Sequence, residues 1–526
     1  MRGTGFQKEN LRGMRRFFVF LGMAVGALGA EGREVALTIL CTTDMHGSIR
    51  ATPGTYAEHN EGSLLRCATI AREARAEAKN VLLVDCGDAF QGTAESYLTR
   101  GGTMAKAMNA LGYDAFAVGN HEFDWGVPAL GEILGKMEAP PLAANLFCDE
   151  RAPEGLRRVR PYVVKEVDGI RVGIAGLTTP NLPNWFRDLE ANGVRAVDSR
   201  RGLEQALPAL RREKPDVMVL LVHQGLTARD DEANQVNAIA RRFGEFDVVL
   251  GGHLHWVLAG ARVGKIDYAQ AGSGARGVLR IDLTYDTVEG KVTRKKFEYV
   301  EAGEWVSEDA ELAGLVADDL ARADEWLGTK LGRTEKKIGY SLAGAGESPM
   351  QQLLCEAIAE ATGAEVVLHG VLSDQGFEEG DVRVADVWRV VPYENTIGCA
   401  WLNAGEIREI MEESAEYLGT DRHFAAWGLR YELHAYAPAG RRIRQMRMAD
   451  GSAVHPKKRL KTAINSYHLA GGGGRFPALA RAAGSPNARL EFSGKTTREM
   501  VMEYVKGKGT LEVGAGTNAA VYRRAP

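Results

Sequence analysis

Cysteine is scarce in this chain: six residues among 526, with no CxxC pair. A disulfide scaffold is therefore excluded as the organising principle. Cys41 and Cys86 lie in apolar, strand-like runs and read as buried hydrophobes. Basic excess is also absent. Lys and Arg number 65 against 69 Asp and Glu, a formal net charge of −4. A sequence-independent binder of nucleic-acid polymers would need a strong basic excess; small phosphorylated substrates stay open. Long apolar runs are missing beyond the amino terminus, and no internal repeat or low-complexity tract occurs. The one amino-terminal run, Phe17 to Ala30, is shorter than the roughly 20 residues of a membrane span. It follows Arg12, Arg15 and Arg16 and ends near the small residues of Ala27-Leu28-Gly29. Residues 1–30 are thus expected to be a signal peptide, with export to a periplasm or outside the cell and no membrane span after cleavage. An uncleaved anchor is the alternative, and Met14 is a second candidate start.

What is present is an ordinary globular composition, 45% hydrophobic and 25% charged. A chain of 526 residues exceeds what one core usually holds, so two domains are expected. From Val35 onward, continuous apolar runs alternate with helical segments: Val35–Leu40, Val81–Val84, Asp114–Val118, Val172–Gly176, Val217–Val222 and Phe246–Leu250. Such runs predict buried strands flanked by helices on both faces, an α/β arrangement. The composition shifts after about Val300, where Glu308 to Leu331 reads as a charge-rich helix. The expected division is 34–302 for the first domain, 303–332 for a linker helix and 333–526 for the second domain.

Five polar motifs end these runs: Thr43-Asp44-Met45-His46-Gly47, Asp85-Cys86-Gly87-Asp88, Gly119-Asn120-His121-Glu122, Val222-His223-Gln224-Gly225 and Gly251-Gly252-His253-Leu254-His255. Parallel sheets place their sites just beyond the carboxyl ends of the strands. Five of the eleven histidines fall there, among Asp and Asn side chains at glycine-flanked turns. Oxygen and imidazole donors without thiolate suit zinc, manganese, iron or cobalt.

The ordered motif set resembles the calcineurin-like metallophosphoesterases, specifically their 5′-nucleotidase branch. The resemblance implies a four-layer αββα sandwich followed by an α+β substrate-binding domain. It implies two divalent metal ions, one held by Asp44, His46 and His255, the other by Asn120, His223 and His253, with Asp88 bridging both. Two such ions clamp phosphoryl oxygens and acidify a water for direct attack on phosphorus. The resemblance further implies that His121 and Asp124 form a catalytic dyad, His121 stabilising phosphoryl charge while Asp124 orients its ring.

The carboxyl-terminal part resembles the substrate-binding domain of the same branch. Pro392-Tyr393-Glu394-Asn395-Thr396 and Asn465-Ser466-Tyr467, followed by the glycine run 471–474, match segments that present two rings to a nucleobase. Tyr393 and Tyr467, with Gly472 and Gly473, are the candidates for substrate binding. Two departures stand out. Leu368-His369-Gly370 replaces the branch's Asn-Gly-Gly segment and its arginine, and the glycine run lacks an aspartate. The glycine run is similar to the 2′,3′-cyclic-nucleotide phosphodiesterase/3′-nucleotidase branch, whereas Asp124 is the 5′-nucleotidase choice. The implied function is hydrolysis of nucleotide phosphoesters at an unassigned position. The alternatives are a dimanganese thiosulfohydrolase and a non-catalytic nucleotide-binding surface protein.

Overall fold

Twelve strands build the two large sheets of the first domain. They are β1 (Glu34–Thr42), β2 (Val81–Asp85), β3 (Ala115–Ala117), β4 (Pro141–Leu142), β5 (Tyr162–Val167), β6 (Ile170–Leu177), β7 (Val217–Val222), β8 (Val248–Gly251), β9 (Val257–Val263), β10 (Ile266–Ala271), β11 (Gly277–Asp286) and β12 (Lys291–Glu301). The structure is a computed structural model that describes residues 33–52, 61–186, 188–340, 348–420, 422–471, 474–512 and 519–522. The expected signal segment, 1–30, lies outside them. No helix among the described residues is long and apolar enough to cross a membrane.

The strands form two six-stranded sheets, in the orders β12-β11-β1-β2-β3-β4 and β9-β10-β8-β7-β6-β5. In the first sheet β1 to β4 run parallel and β11 and β12 add one antiparallel edge; in the second the four central strands are parallel and β9 and β5 close both edges antiparallel. Period-two alternation in β1 decides the layering. Val35, Leu37, Ile39 and Cys41 pack with Leu250, Leu221 and Val219 between the two sheets. Leu40 points the other way, with Leu83 and Phe116, onto the helices Leu64–Glu77, Gly102–Leu111 and Gly126–Lys136. Across the molecule, Met218, Leu220 and Val222 of β7 pack on the helices Ser199–Arg212 and Val236–Arg242. The result is helix, sheet, sheet, helix.

The charge-rich helix is Ala310–Leu327, shorter at both ends than its sequence pattern. Asp309 caps it by accepting from Leu312 N–H at 2.8 Å, and Lys330 already begins a strand. Leu312 and Val316 pack in the first domain's core. Ala323 and Leu327 pack with Ala94, Val384 and Trp388. The second domain centres on a five-stranded sheet in the order Ala425–Trp427, Val366–His369, Arg459–Asn465, Thr396–Asn403, Glu491–Thr496. The helices Pro349–Thr362, Ala404–Ser414 and Thr497–Lys508 accompany it. The whole is a two-domain α/β protein. None of the six cysteines is in a disulfide.

Candidate metal centre

The loops after β1 and β2 continue to pair beyond their strands. Asp44 N–H donates to Gly87 O at 2.8 Å, His46 N–H to Asp88 O at 3.0 Å and Gly47 N–H to Ala89 O at 3.0 Å. This zipper holds an unusual backbone. Asp44, His46, Asp88, His253 and His255 all have positive φ, between 48° and 73°. L-residues avoid that region, and such strain gathers where surrounding structure over-determines a functional site. Glycine gives the loops their remaining room. A Cβ on Gly252 would lie 2.3 Å from Thr43 Oγ1 and 2.9 Å from Asp44 Oδ2.

Two groups of donors result, Asp44 with His46 and His255, and Asp88 with His223 and His253; within each group the ligand atoms lie within 4.8 Å of one another. In the first, His46 Nε2 faces His255 Nε2 at 3.1 Å, and His255 Nε2 is 3.5 Å from Asp44 Oδ1. His46 Nδ1–H donates to the Gln91 carbonyl oxygen at 3.2 Å and also faces Gln91 Oε1 at 3.2 Å. In the second, His223 Nε2 lies 2.9 Å from Asp88 Oδ2 and 3.1 Å from Asn120 Oδ1. Asn120 thus joins the second group, and the rings of His223 and His253 meet edge-on at 5.3 Å.

The donor set fits cations. Asp44, Asp88 and His223 are buried. Burial pushes the His223 imidazole down, yet the Asp88 carboxylate pulls it up to about 9. Burial likewise raises the Asp88 carboxyl, but His223, His121 and His46 hold it well below the usual carboxylate range. Asp44 is raised to about 7 by burial and, in smaller part, by Asp88. Burial lowers His253 to about 3 and His255 to about 4, leaving both rings neutral with lone pairs to give. Buried carboxylates among converging ring nitrogens demand positive charge, which two divalent ions would supply.

His121 stands beside these groups, its side chain 37% exposed, with Nδ1 2.8 Å from Asp124 Oδ2. Its backbone N–H donates to Asp88 Oδ1 at 2.8 Å. Burial lowers the imidazole, but Asp124 and Asp88 outweigh it and raise it to about 10.

Glu122 has a part that the motif reading did not assign. Its buried carboxylate accepts from Gly119 N–H at 2.6 Å, Ala89 N–H at 2.7 Å and Asp88 N–H at 2.9 Å. It ties the second and third motif loops together. The available signal was its place next to His121: an acidic residue where a strand-end turn has little solvent.

In the second domain Tyr393 is half-buried and precedes Glu394, which pairs with Arg498 in the interior. Tyr467 is 38% exposed. The Arg475 guanidinium lies over its ring, 5.5 Å from the centroid, and donates to its hydroxyl at 3.0 Å. Gly472 and Gly473 lie outside the described residues.

A four-layer sandwich with polar side chains converging at its strand ends defines a metallophosphoesterase architecture. Residues 37–257 match the family described as calcineurin-like phosphoesterase, and residues 330–481 match the 5′-nucleotidase C-terminal domain. The chain belongs to the calcineurin-like phosphoesterases that carry this second domain, a family of hydrolases that uses divalent metals. It is 25% identical to a 5′-nucleotidase of Diplobatis ommata, across 89% of this chain and 87% of that protein. It is 23% identical to the trifunctional nucleotide phosphoesterase protein YfkN of Bacillus subtilis, across 93% of this chain but 39% of the relative. The chain thus spans about two fifths of that relative's length. A candidate 5′-nucleotidase from Staphylococcus aureus, solved with alpha-ketoglutarate, shares the fold at a TM-score of 0.78 and 20% identity, covering 93% of this chain and 100% of its own.

Proposed function

We propose that this chain is an exported, two-metal phosphohydrolase that cleaves the phosphoesters of nucleotides and serves nucleotide catabolism. The observation that carries the reading is the pair of facing donor groups at the strand ends, with His121 and Asp124 beside them. Asp44, His46 and His255 would hold one ion; Asn120, His223 and His253 the other; Asp88 would reach both. Ions bound there supply Lewis acidity toward the phosphoryl oxygens and toward water.

The chain's own groups do the rest. His121 holds a proton at Nε2 and donates to a phosphoryl oxygen as charge builds, while Asp124 accepts from Nδ1–H and fixes the ring. The buried loops exclude bulk water and so strengthen these interactions. Tyr393 and Tyr467 receive the nucleobase, and Gly472 and Gly473 are assigned to the same substrate site. The catalytic unit is assigned to 34–302, the linker to 303–332 and the substrate unit to 333–526. The relatives' names, a 5′-nucleotidase and a nucleotide phosphoesterase, support the substrate class.

The deciding experiment measures phosphate release from a panel including AMP and 2′,3′-cyclic AMP, with metal content determined on the same preparation. Two ions per chain and turnover of at least one nucleotide are expected. Two ions with no release from any nucleotide would overturn the reading.

A further inference from the structure

The second domain touches the metal centre's own scaffolding, not only the space where substrate would sit. Trp388 lies in the helix Val384–Val390 and is fully buried. Its Nε1–H donates to the carbonyl oxygen of Gly92 at 3.2 Å, across the domain boundary. Gly92 directly follows Gln91, whose carbonyl oxygen and Oε1 both lie 3.2 Å from His46 Nδ1. The contact between this loop and His46 is close. Gly92 has φ +146°, and a Cβ there would fall 2.1 Å from the His46 carbonyl oxygen.

The indole itself is immobilised. The Arg498 guanidinium lies over its ring, 3.6 Å from the centroid. The rings of Tyr97 and Trp326 meet it edge-on, each at 5.3 Å. Arg498 is held in turn by Val391 O, to which its Nε–H donates at 2.8 Å, and by Glu394. A ring gripped from several sides, with its one N–H directed at the loop that orients His46, does more than fill space.

We propose that Trp388 is a positioning residue for the ion held by Asp44, His46 and His255, acting through the Gln91–Gly92 loop; this rests on the metal assignment above. The reasoning is about tautomer and aim. His46 can present the Nε2 lone pair only while Nδ1–H has its acceptor at Gln91. Pinning the next peptide through Gly92 O holds that acceptor in place. The other group has no such dependence, because His223 is oriented by Cys86 O within the first domain, at 2.8 Å. The consequence is asymmetric: the second domain supports one ion and not its neighbour.

The test is a competitive-chelator titration of the full chain with zinc or manganese, resolving two binding steps. Trp388→Phe keeps a ring beneath Arg498 and removes only the N–H. It should weaken one ion by roughly tenfold, as loss of a ligand's hydrogen-bond partner does, and leave the other unchanged. Tyr97→Phe breaks a neighbouring interdomain bond, Tyr97 hydroxyl to Glu499 Oε1 at 2.9 Å, and should alter neither ion. General loosening of the interface would affect both variants alike and overturn the proposal, as would two wild-type affinities in Trp388→Phe. Should that variant not fold, the Trp388 indole N–H resonance of the wild-type chain, hydrogen-bonded to Gly92 O, should shift with one metal-binding step and not with the other; a shift with both steps or with neither overturns the proposal too. Fewer than two ions in the wild-type chain would instead defeat the metal assignment itself.

Discussion

His223 Nδ1–H donates to the carbonyl oxygen of Cys86 over 2.8 Å, so its Nε2 is aimed at Asp88 Oδ2, 2.9 Å away, and Asn120 Oδ1, 3.1 Å away. A buried nitrogen lone pair between two oxygens is repulsive until a proton or a cation sits among them. Metal removal is therefore expected to destabilise the fold as well as abolish activity. With free ion at 1,000 times its dissociation constant, binding adds about 4 kcal/mol to native stability. Calorimetry should show a lower unfolding temperature after chelation, restored by zinc or manganese. An unfolding temperature indifferent to chelator would contradict the metal assignment.

The His121 ring meets that of His46 edge-on at 5.4 Å and its Nδ1 lies 2.8 Å from Asp124 Oδ2, but His121 belongs to neither donor group. His121→Ala should keep both ions and lower turnover by about two orders of magnitude or more, the range for loss of one transition-state donor. Asp124→Ala should retain more activity, because the imidazole survives without its orienter. Metal analysis beside steady-state kinetics checks both. Wild-type turnover in His121→Ala would remove that residue from the chemistry.

The first domain was legible because its signals are local. Each motif follows its own apolar strand, and the alternation in β1 states which face meets the second sheet. Positive φ at Asp44, His46, Asp88, His253 and His255 was not legible, since those residue types give no sign of it. It arises from pairing between loops distant in sequence, such as His46 N–H to Asp88 O. Trp388 reads as an ordinary core residue in its own helix; its partner, Gly92, lies 296 positions away. The second domain's chemistry was harder still, because a tyrosine in a core and a tyrosine beneath a base look alike in a sequence.

Arg498 and Glu394 form an ion pair whose side chains are 0% and 1% exposed. Each retains a buried atom without a partner, Arg498 Nη2 and Glu394 Oε2. Arg498→Met alone should cost about 3–5 kcal/mol, because it strands a buried carboxylate. Arg498→Met combined with Glu394→Leu should recover most of that loss, since neither charge is left to desolvate. Denaturant midpoints of the single and double variants decide it; equal losses in both would show that the pair is worth its burial.

His468 lies between Phe424 and Phe476, with ring centroids 5.3 and 5.2 Å away, and its Nδ1 is buried without a partner. Burial, helped by nearby His369 and Arg475, lowers the imidazole from 6.5 to about 3. The folded state thus keeps the ring neutral while the unfolded chain takes up a proton below about pH 6.5. Stability from this group is complete above that pH and is lost progressively as the pH falls toward 3. His468→Phe should flatten the decline between pH 6.5 and 4.5, measured as unfolding temperature against pH. A slope identical to wild type would place the acid sensitivity elsewhere.

Glu122 offers the sharpest separation of scaffold from chemistry. Its carboxylate takes three backbone N–H groups, from Asp88, Ala89 and Gly119, and it is 1% exposed. Gly119 itself can be nothing larger, because a Cβ there would lie 2.2 Å from Asp88 Oδ1 and 2.7 Å from Glu122 Oε2. Carboxylate and glycine therefore form one close-packed unit that sets where Asp88 and Asn120 point. Glu122→Ala leaves three buried donors without acceptors, each costing about 1–3 kcal/mol. Glu122→Gln keeps the shape but turns an amide N–H₂ toward one of those donors, so it should lose about 2 kcal/mol. Both losses should persist in the chelated protein, since they arise from backbone donors and not from an ion. Ion affinity should fall as well, because Asp88 and Asn120 are no longer held. If the chelated Glu122→Ala protein unfolds at the wild-type denaturant concentration, the three hydrogen bonds contribute nothing, and the loops are positioned by the β1–β2 zipper alone.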